Sequence, residues 1–397
     1  MKKFWNLMGL VLLVALTSVG FSACSDDDED LPKSYQLTIN LNLKDGMTVD
    51  NLSAMKVLLV NEKGQEEAVN ITGGSATTTV LQGQYTVSAA GKVKDEAAAY
   101  ASGKASVDVF ADATVTVNVE KIIQSPLIFK TIYSTGGKQG YVVDQYFEIV
   151  NNSDEIQYLD QLMLSAPQGN QKVENAWQSH GMNDIYACGQ GTVIAFPGSG
   201  RDYPLNPGES VLLANDAVDH RDLAGEGNAC PDLSKADWEV YIPSAKGEID
   251  YKTQNVDIIF QNNFNMKAWG MGFFGRAYIL ARCPEGMTPA EFAANKDNIM
   301  TTPGTTSKME YLMIPSKYVL DAVDVWDGKV AEHVSTFLTK DDAKGISSSA
   351  AWTGKCVRRK VTKIENGRPY YQDTNNSSQD FLNEQPLTPG QTPTKVD

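Results

Sequence analysis

From Tyr35 onward apolar and polar residues alternate: Tyr35, Leu37, Ile39, Leu41 and Leu43 share one face of SYQLTINLNL, the period of a half-buried strand. AMKVLLVNEKG, ATTTVLQGQYTVSAAGKV and KASVDVFADATVTVNVEKI repeat the pattern between Asn, Gly and Asp turns. Together they predict an antiparallel β-sandwich over residues 35–122. A second β-rich region follows from Ser125-Pro126 to about residue 386. LIFKTIYSTGG, YVVDQYFEIVNNSDEIQYLDQLML, YPLNPGESVLLAN, KYVLDAVDVW and GKCVRRKVTKIENGRPYYQ supply its strands. Helix is scarce. Thr288 and Glu291 have the spacing of a capping box and predict a helix near 290–296. DLSKADWEVY and LTKDDAKGI have room for one turn each, and the Thr/Pro-rich segment 387–397 reads as disordered. The fold class expected is all-β, with two β-sandwich domains and a few short helices.

The first 34 residues have a different grammar. Lys2 and Lys3 precede an apolar run, Leu7 to Leu16, and small residues follow to Ala23. That order is the pattern of a secretory signal peptide over 1–23, too short to span a bilayer. Phe21-Ser22-Ala23-Cys24 resembles a bacterial lipobox, with Phe21 where Leu is usual. The resemblance implies cleavage before Cys24 and acylation of its thiol (palmitate or a similar chain), giving an anchor worth ~0.8 kcal/mol per buried methylene. Residues 24–34 form an acidic tether. Ser25, Asp26, Asp27, Asp28, Glu29 and Asp30 read either as a solvated spacer or, by resemblance, as the export signal of surface lipoproteins in Bacteroidetes. The localisation this implies is the outer membrane, facing outward.

Charge and cysteines narrow the picture. Loss of the segment carrying Lys2 and Lys3 takes the formal net charge from −15 to −17, which repels phosphate backbones and leaves nucleic acid out as a partner. With Cys24 lipidated, Cys188, Cys230, Cys283 and Cys356 remain, an even set in an oxidising compartment. Two disulfides are one expectation, and four buried free thiols the other. Pairing Cys188 with Cys230 would contribute roughly 4 kcal/mol in the chain-entropy model. No C-x-x-C spacing supports a thiolate metal site.

Several segments carry family resemblances. LQGQYTVSAAG is similar to the hairpin of prealbumin-like modules. FEIVNNSDE, YLDQLML, LNPGESVLLAN, VLDAVDVW and DTNNSSQDF follow one another like the landmarks of a lamin-tail-like β-sandwich over 126–386, with a long insertion at about 215–313. With the lipoprotein start, the whole resembles the DUF4876 family of Bacteroidetes lipoproteins. That family implies no catalytic residues.

Candidate chemistry is sparse. His180, His220 and His333 lack metal-ligand spacing, and PGSGRD around Ser199 is not a nucleophile elbow, which also needs a parallel α/β sheet. Glu148, Asp321, Asp324, Asp373 and Asp380 are carboxylates that a glycan hydrolase would have to bring into a facing pair. Asp373, Asn375 and Asp380 have the oxygen chemistry for calcium, although turns that bond their own backbone use the same residues, and NDAVDHRD at 215–222 reads the same way. Met266, Trp269, Met271, Phe273 and Phe274, crowded among glycines, make either an apolar lip for a ligand or a core strand. Trp177, Trp238 and Trp352 read as core. The function expected is a noncatalytic ligand-binding or accessory lipoprotein without cofactor, partnering an outer-membrane β-barrel transporter of the TonB-dependent kind. A cell-surface adhesin is the alternative, and a carboxylate-based hydrolase a third reading.

Overall fold

The computed structural model describes residues 33–397, apart from 45, 95–98, 170–171, 190–191, 244–247, 263–268, 270–274 and 331. Its first strand, Ser34–Leu43, buries Leu37 and Ile39 completely, as the alternation predicts. It pairs parallel with Ala113–Ile123 and antiparallel with Ser75–Leu81. These strands belong to one seven-stranded sheet, ordered Glu66–Val69, Leu52–Asn61, Gly83–Val93, Ala99–Val109, Ala113–Ile123, Ser34–Leu43, Ser75–Leu81. The sheet curls over itself, so Leu37, Ile39, Val57, Leu59, Val87, Ala101, Val117 and Val119 meet in one core. The predicted sandwich is therefore present, closed by a continuous sheet. Its tightest point is Gly103, where an added Cβ would lie 2.1 Å from the Asn118 carbonyl oxygen. Gly103→Ala should cost about 1–3 kcal/mol through that overlap with backbone. Calorimetry checks this, and an unchanged melting temperature would refute it.

The second region stacks three layers. A seven-stranded sheet runs Gln254–Asn255, Trp238–Glu239, Ser210–Ala214, Tyr146–Asn151, Leu127–Tyr133, Lys355–Arg359, Phe381–Pro386. Over it lies a six-stranded sheet, Asp257–Gln261, Thr192–Ala195, Leu162–Ser165, Gly275–Arg282, Val319–Asp327, Ile346–Ser348. The third layer is Ile185–Cys188, Glu310–Pro315 and Ile299–Thr301, with the helix Pro289–Ala294. The middle sheet is buried on both faces. Leu162, Leu164, Tyr278, Leu280, Val323 and Val325 point into one core, with Phe147 and Trp238. Met163, Ile279, Ala281 and Ala322 point into the other, with Tyr186, Leu312 and Phe292. Such strands carry apolar residues in unbroken runs, which is why YILA lacks a polar face. The helix is capped as predicted, Thr288 Oγ1 accepting from Glu291 N and Glu291 reaching back to Thr288 N.

Residues 215–313 are integral to the packing: Gly275–Arg282 is an inner strand of the middle sheet, and Trp238, Val240, Ile242, Val256 and Trp269 sit in the main core. One sequence expectation is corrected. The segment 387–397 is not loose. Asp397 N donates to Val361 O, and the Asp397 carboxylate holds Arg358 at 2.8 Å. The two regions also touch: Lys104 Nζ donates to Ala343 O at 3.2 Å, Gln124 Nε2 to Asp373 O at 2.6 Å, and Lys344 pairs with Glu66.

Candidate functional site

Three of the five carboxylates singled out in the sequence converge, but on a cation already in the chain. Arg359 ends the strand Lys355–Arg359 and is 1% exposed. Its Nη2 donates to Asp321 Oδ2 at 2.6 Å and its Nη1 to Asp373 Oδ1 at 3.1 Å, with Asp380 at 3.7 Å. Nε and Nη1 also donate to the Phe129 and Gln372 carbonyls, and the guanidinium lies over the Phe381 ring at 4.5 Å. Asp380 accepts from Thr374 N, Thr374 Oγ1 and Asn376 N, which folds the Asn/Ser loop around it. Asn375 turns away, with φ +48° and its amide on Lys340 O.

The calcium reading of Asp373, Asn375 and Asp380 is thereby overturned, because the guanidinium occupies the place a cation would take. Among the described residues no group of His, Cys, Asp and Glu has metal-binding geometry. One cation faces three buried carboxylates, and burial together with Asp321 and Asp380 pushes Asp373 up to about 7 despite Arg359. Next to this centre Asp342 accepts from Ser377 N, Ser377 Oγ and Asp324 N, and burial raises it to about 7 as well.

The other candidates are also committed to structure. Glu148 and Lys130, both 2% exposed, pair at 2.9 Å. Asp324 accepts from His333 Nε2 and Thr336 N, while His333 stacks on Trp326. His220 is buried between Tyr141 Oη and Asp216 O, and His180 is exposed on a turn beside Ala176 O. Ser199 donates to Asp202 in a loop whose Gly200, Asp202 and Tyr203 amides all bond Asp160. Asp216, Glu239 and Glu248 crowd together, and burial and mutual repulsion raise Asp216 and Glu248 to about 7. Glu239 spends both oxygens on the Ala217 and Tyr251 amides.

All four described cysteines are free, so the disulfide expectation is corrected. Cys188 lies between the middle and third layers, and Cys283 lies against Met163 Sδ at 3.7 Å. Cys356 faces Gln385 O on the opposite side of the molecule, and Cys230 lies beside Asp144. Burial raises every one of these thiols, Cys230 and Cys356 to about 12 and Cys283 to about 11. Of the apolar stretch, Trp269 is a core residue packed 5.4 Å from the Phe147 ring, while Met266, Met271, Phe273 and Phe274 lie outside the described residues. Cys24 and the run Ser25, Asp26, Asp27, Asp28, Glu29 and Asp30 lie outside them too. Trp177 and Trp238 are buried and Trp352 half-buried.

What stays open is a groove on the outer side of the seven-stranded sheet, crossed by residues 387–392. One limb of about 850 Å³ is walled by Tyr203, Trp238, Gln254, Asn366 and Arg368. The other, about 800 Å³, is walled by Arg221, Asp232, Lys235 and Lys355, and both reach Ser210, Asp237 and Gly390. None of Asp216, Glu239 or Glu248 lines either limb. Arg368 is held by Asp154 and Ser153 O and stacks on Tyr370 at 4.3 Å, so this wall is preformed. Sequence reasoning missed Lys130 and the crossing segment. A single charge inside LIFKTIY was the available signal for the first.

Residues 206–388 match the model of the family described as "Protein of unknown function (DUF4876)". This stretch, just under half of the chain, is similar to the DUF4876 family. The DUF4876 region holds the Arg359 centre and most of the groove. A crystal structure of a DUF4876 family protein from Bacteroides thetaiotaomicron VPI-5482 is similar at 25% identity and TM-score 0.59, over 91% of this chain and 98% of that one. A DUF3823 family protein from Parabacteroides merdae overlaps 34% of this chain and 67% of its own, at 12% identity and TM-score 0.17, which supports no inference. No curated protein matches the chain.

Proposed function

We propose that this chain is a noncatalytic, lipid-anchored protein of the outer cell surface that binds a ligand in the groove beside Tyr203 and Trp238. The observation that carries the binding reading is the contrast between its polar groups. Asp321, Asp373, Asp380 and Ser199 are tied into internal bonds away from the groove, whereas the groove itself is open and polar. Anchoring rests on Cys24 and the acidic run after it. An outer-membrane β-barrel transporter is the proposed partner. Fractionation of cells tests the anchor: wild type should sediment with the outer membrane and be cleaved by protease on intact cells, and Cys24→Ala should be released. A Cys24→Ala protein that stays membrane-bound would sink the anchor. Co-purification of a barrel with wild type tests the partner, and its absence after cross-linking would remove that part.

A further inference from the structure

The segment crossing the groove shows how it is read. Thr388-Pro389-Gly390-Gln391 is a β-turn closed by Gln391 N on Thr388 O, with Gly390 at φ +72°, the left-handed position that a Pro-Gly type II turn requires. The turn meets the buried Lys130–Glu148 pair with its backbone. Gly390 N donates to Glu148 Oε1 at 3.0 Å, and Lys130 Nζ donates to Gln391 O at 2.8 Å. Ser210 Oγ takes another Lys130 proton and Thr131 Oγ1 holds the second Glu148 oxygen. A fully desolvated acid–base pair thus accepts one N–H and donates to one C=O of a passing chain.

The segment itself is a thin cover. None of residues 387–397 is buried, Gly390 to Thr392 are exposed, and the groove continues on both sides of them. Its side-chain holds are at the two ends, Leu387 against Tyr146 and Leu212, and Asp397 on Arg358. Contacts made through main chain do not depend on which protein supplies it.

We propose that the groove is a peptide-binding site for extended segments of a partner protein carrying a Pro-Gly turn, and that residues 387–397 fill it in cis until such a segment replaces them. This rests on the ligand-binding reading above and assigns the ligand's class. The recognition elements are Lys130 and Glu148 for the turn backbone. Arg221 and Asp232, paired with each other at 2.9 Å, and Lys235 line one side beside flanking residues, and Arg368 lines the other.

The test uses the full chain with its own segment loosened by Asp397→Ala and Gly390→Ala, titrated with the synthetic peptide PLTPGQTPTKVD (residues 386–397). The loosened chain should bind the peptide at least about tenfold more tightly than wild type, because the competing internal segment is weakened. In the peptide, D-Ala for Gly keeps the turn and should keep binding. Sarcosine removes the N–H and should lower affinity roughly tenfold or more, the loss of a charge-assisted hydrogen bond. Because these changes lie in the peptide, folding of the protein does not enter the comparison. No binding to the loosened chain, or equal binding of the sarcosine peptide, overturns the proposal. Binding of an oligosaccharide that the peptide does not displace overturns the peptide class and leaves the ligand-binding reading standing.

Discussion

Arg359→Met is expected to lower the melting temperature of the second β region by on the order of 10 °C at pH 7.5, the equivalent of about 3–5 kcal/mol. Methionine fills much of the volume but leaves Asp321, Asp373 and Asp380, all buried, without the cation that all three face. It also strands the Phe129 and Gln372 carbonyls, which now accept from Nε and Nη1. Arg359→Lys should recover only part of the loss, because an ammonium cannot reach two carbonyls and two carboxylates in one plane. The loss must also depend on pH. As pH falls toward 5 the buried Asp321 and Asp373, both raised by burial, take up protons in the variant, and the gap to wild type should narrow. A drop of under 2 °C, or one constant between pH 5 and 8, would show that the cluster is not electrostatically organised around Arg359.

How far the sequence could be read depends on the range of the interaction. The strand Ser34–Leu43 and the Thr288–Glu291 cap were legible, since alternation and capping are decided within a few residues. The strands Trp238–Glu239 and Gln254–Asn255 were not legible, because each is two residues long and leaves no periodic trace. Their place is set by parallel pairing with Ser210–Ala214 and with each other. The segment 387–397 was misread for a related reason, since its composition is that of a loose tail but its anchors are backbone bonds to Glu148, Lys130 and Val361. Asp321, Asp373 and Asp380 were named in the sequence only among several carboxylates open to a hydrolase or to calcium. Their partner, 38 residues from Asp321, could not be assigned, because surplus carboxylates look alike until a strand brings one arginine between them.

The same surplus gives the second large effect, a rise in stability on mild acidification. Asp373 keeps one oxygen on Arg359 and leaves Oδ2 without a partner in a fully buried site, whereas Asp321 Oδ2 accepts from both Arg359 and Phe129 N. That unpartnered oxygen marks Asp373 as an acid that holds a proton, in line with its rise to about 7. The sign follows from linkage. The folded chain keeps this proton through a window in which the unfolded chain, with an ordinary Asp near 3.8, has lost it. The contribution is fully present below that lower value and is lost as pH rises through 7, at most about 4 kcal/mol for a three-unit difference. Asp342 adds a change of the same direction. Asp373→Asn mimics the protonated acid and removes one of the two contributions. The variant should approach wild type only below about pH 4, exceed it by a widening margin toward pH 8, and show a shallower dependence of melting temperature on pH by about one proton. If it instead melts below wild type at pH 8, Asp373 is an ionised partner of Arg359, and the proton of this centre resides on another carboxylate.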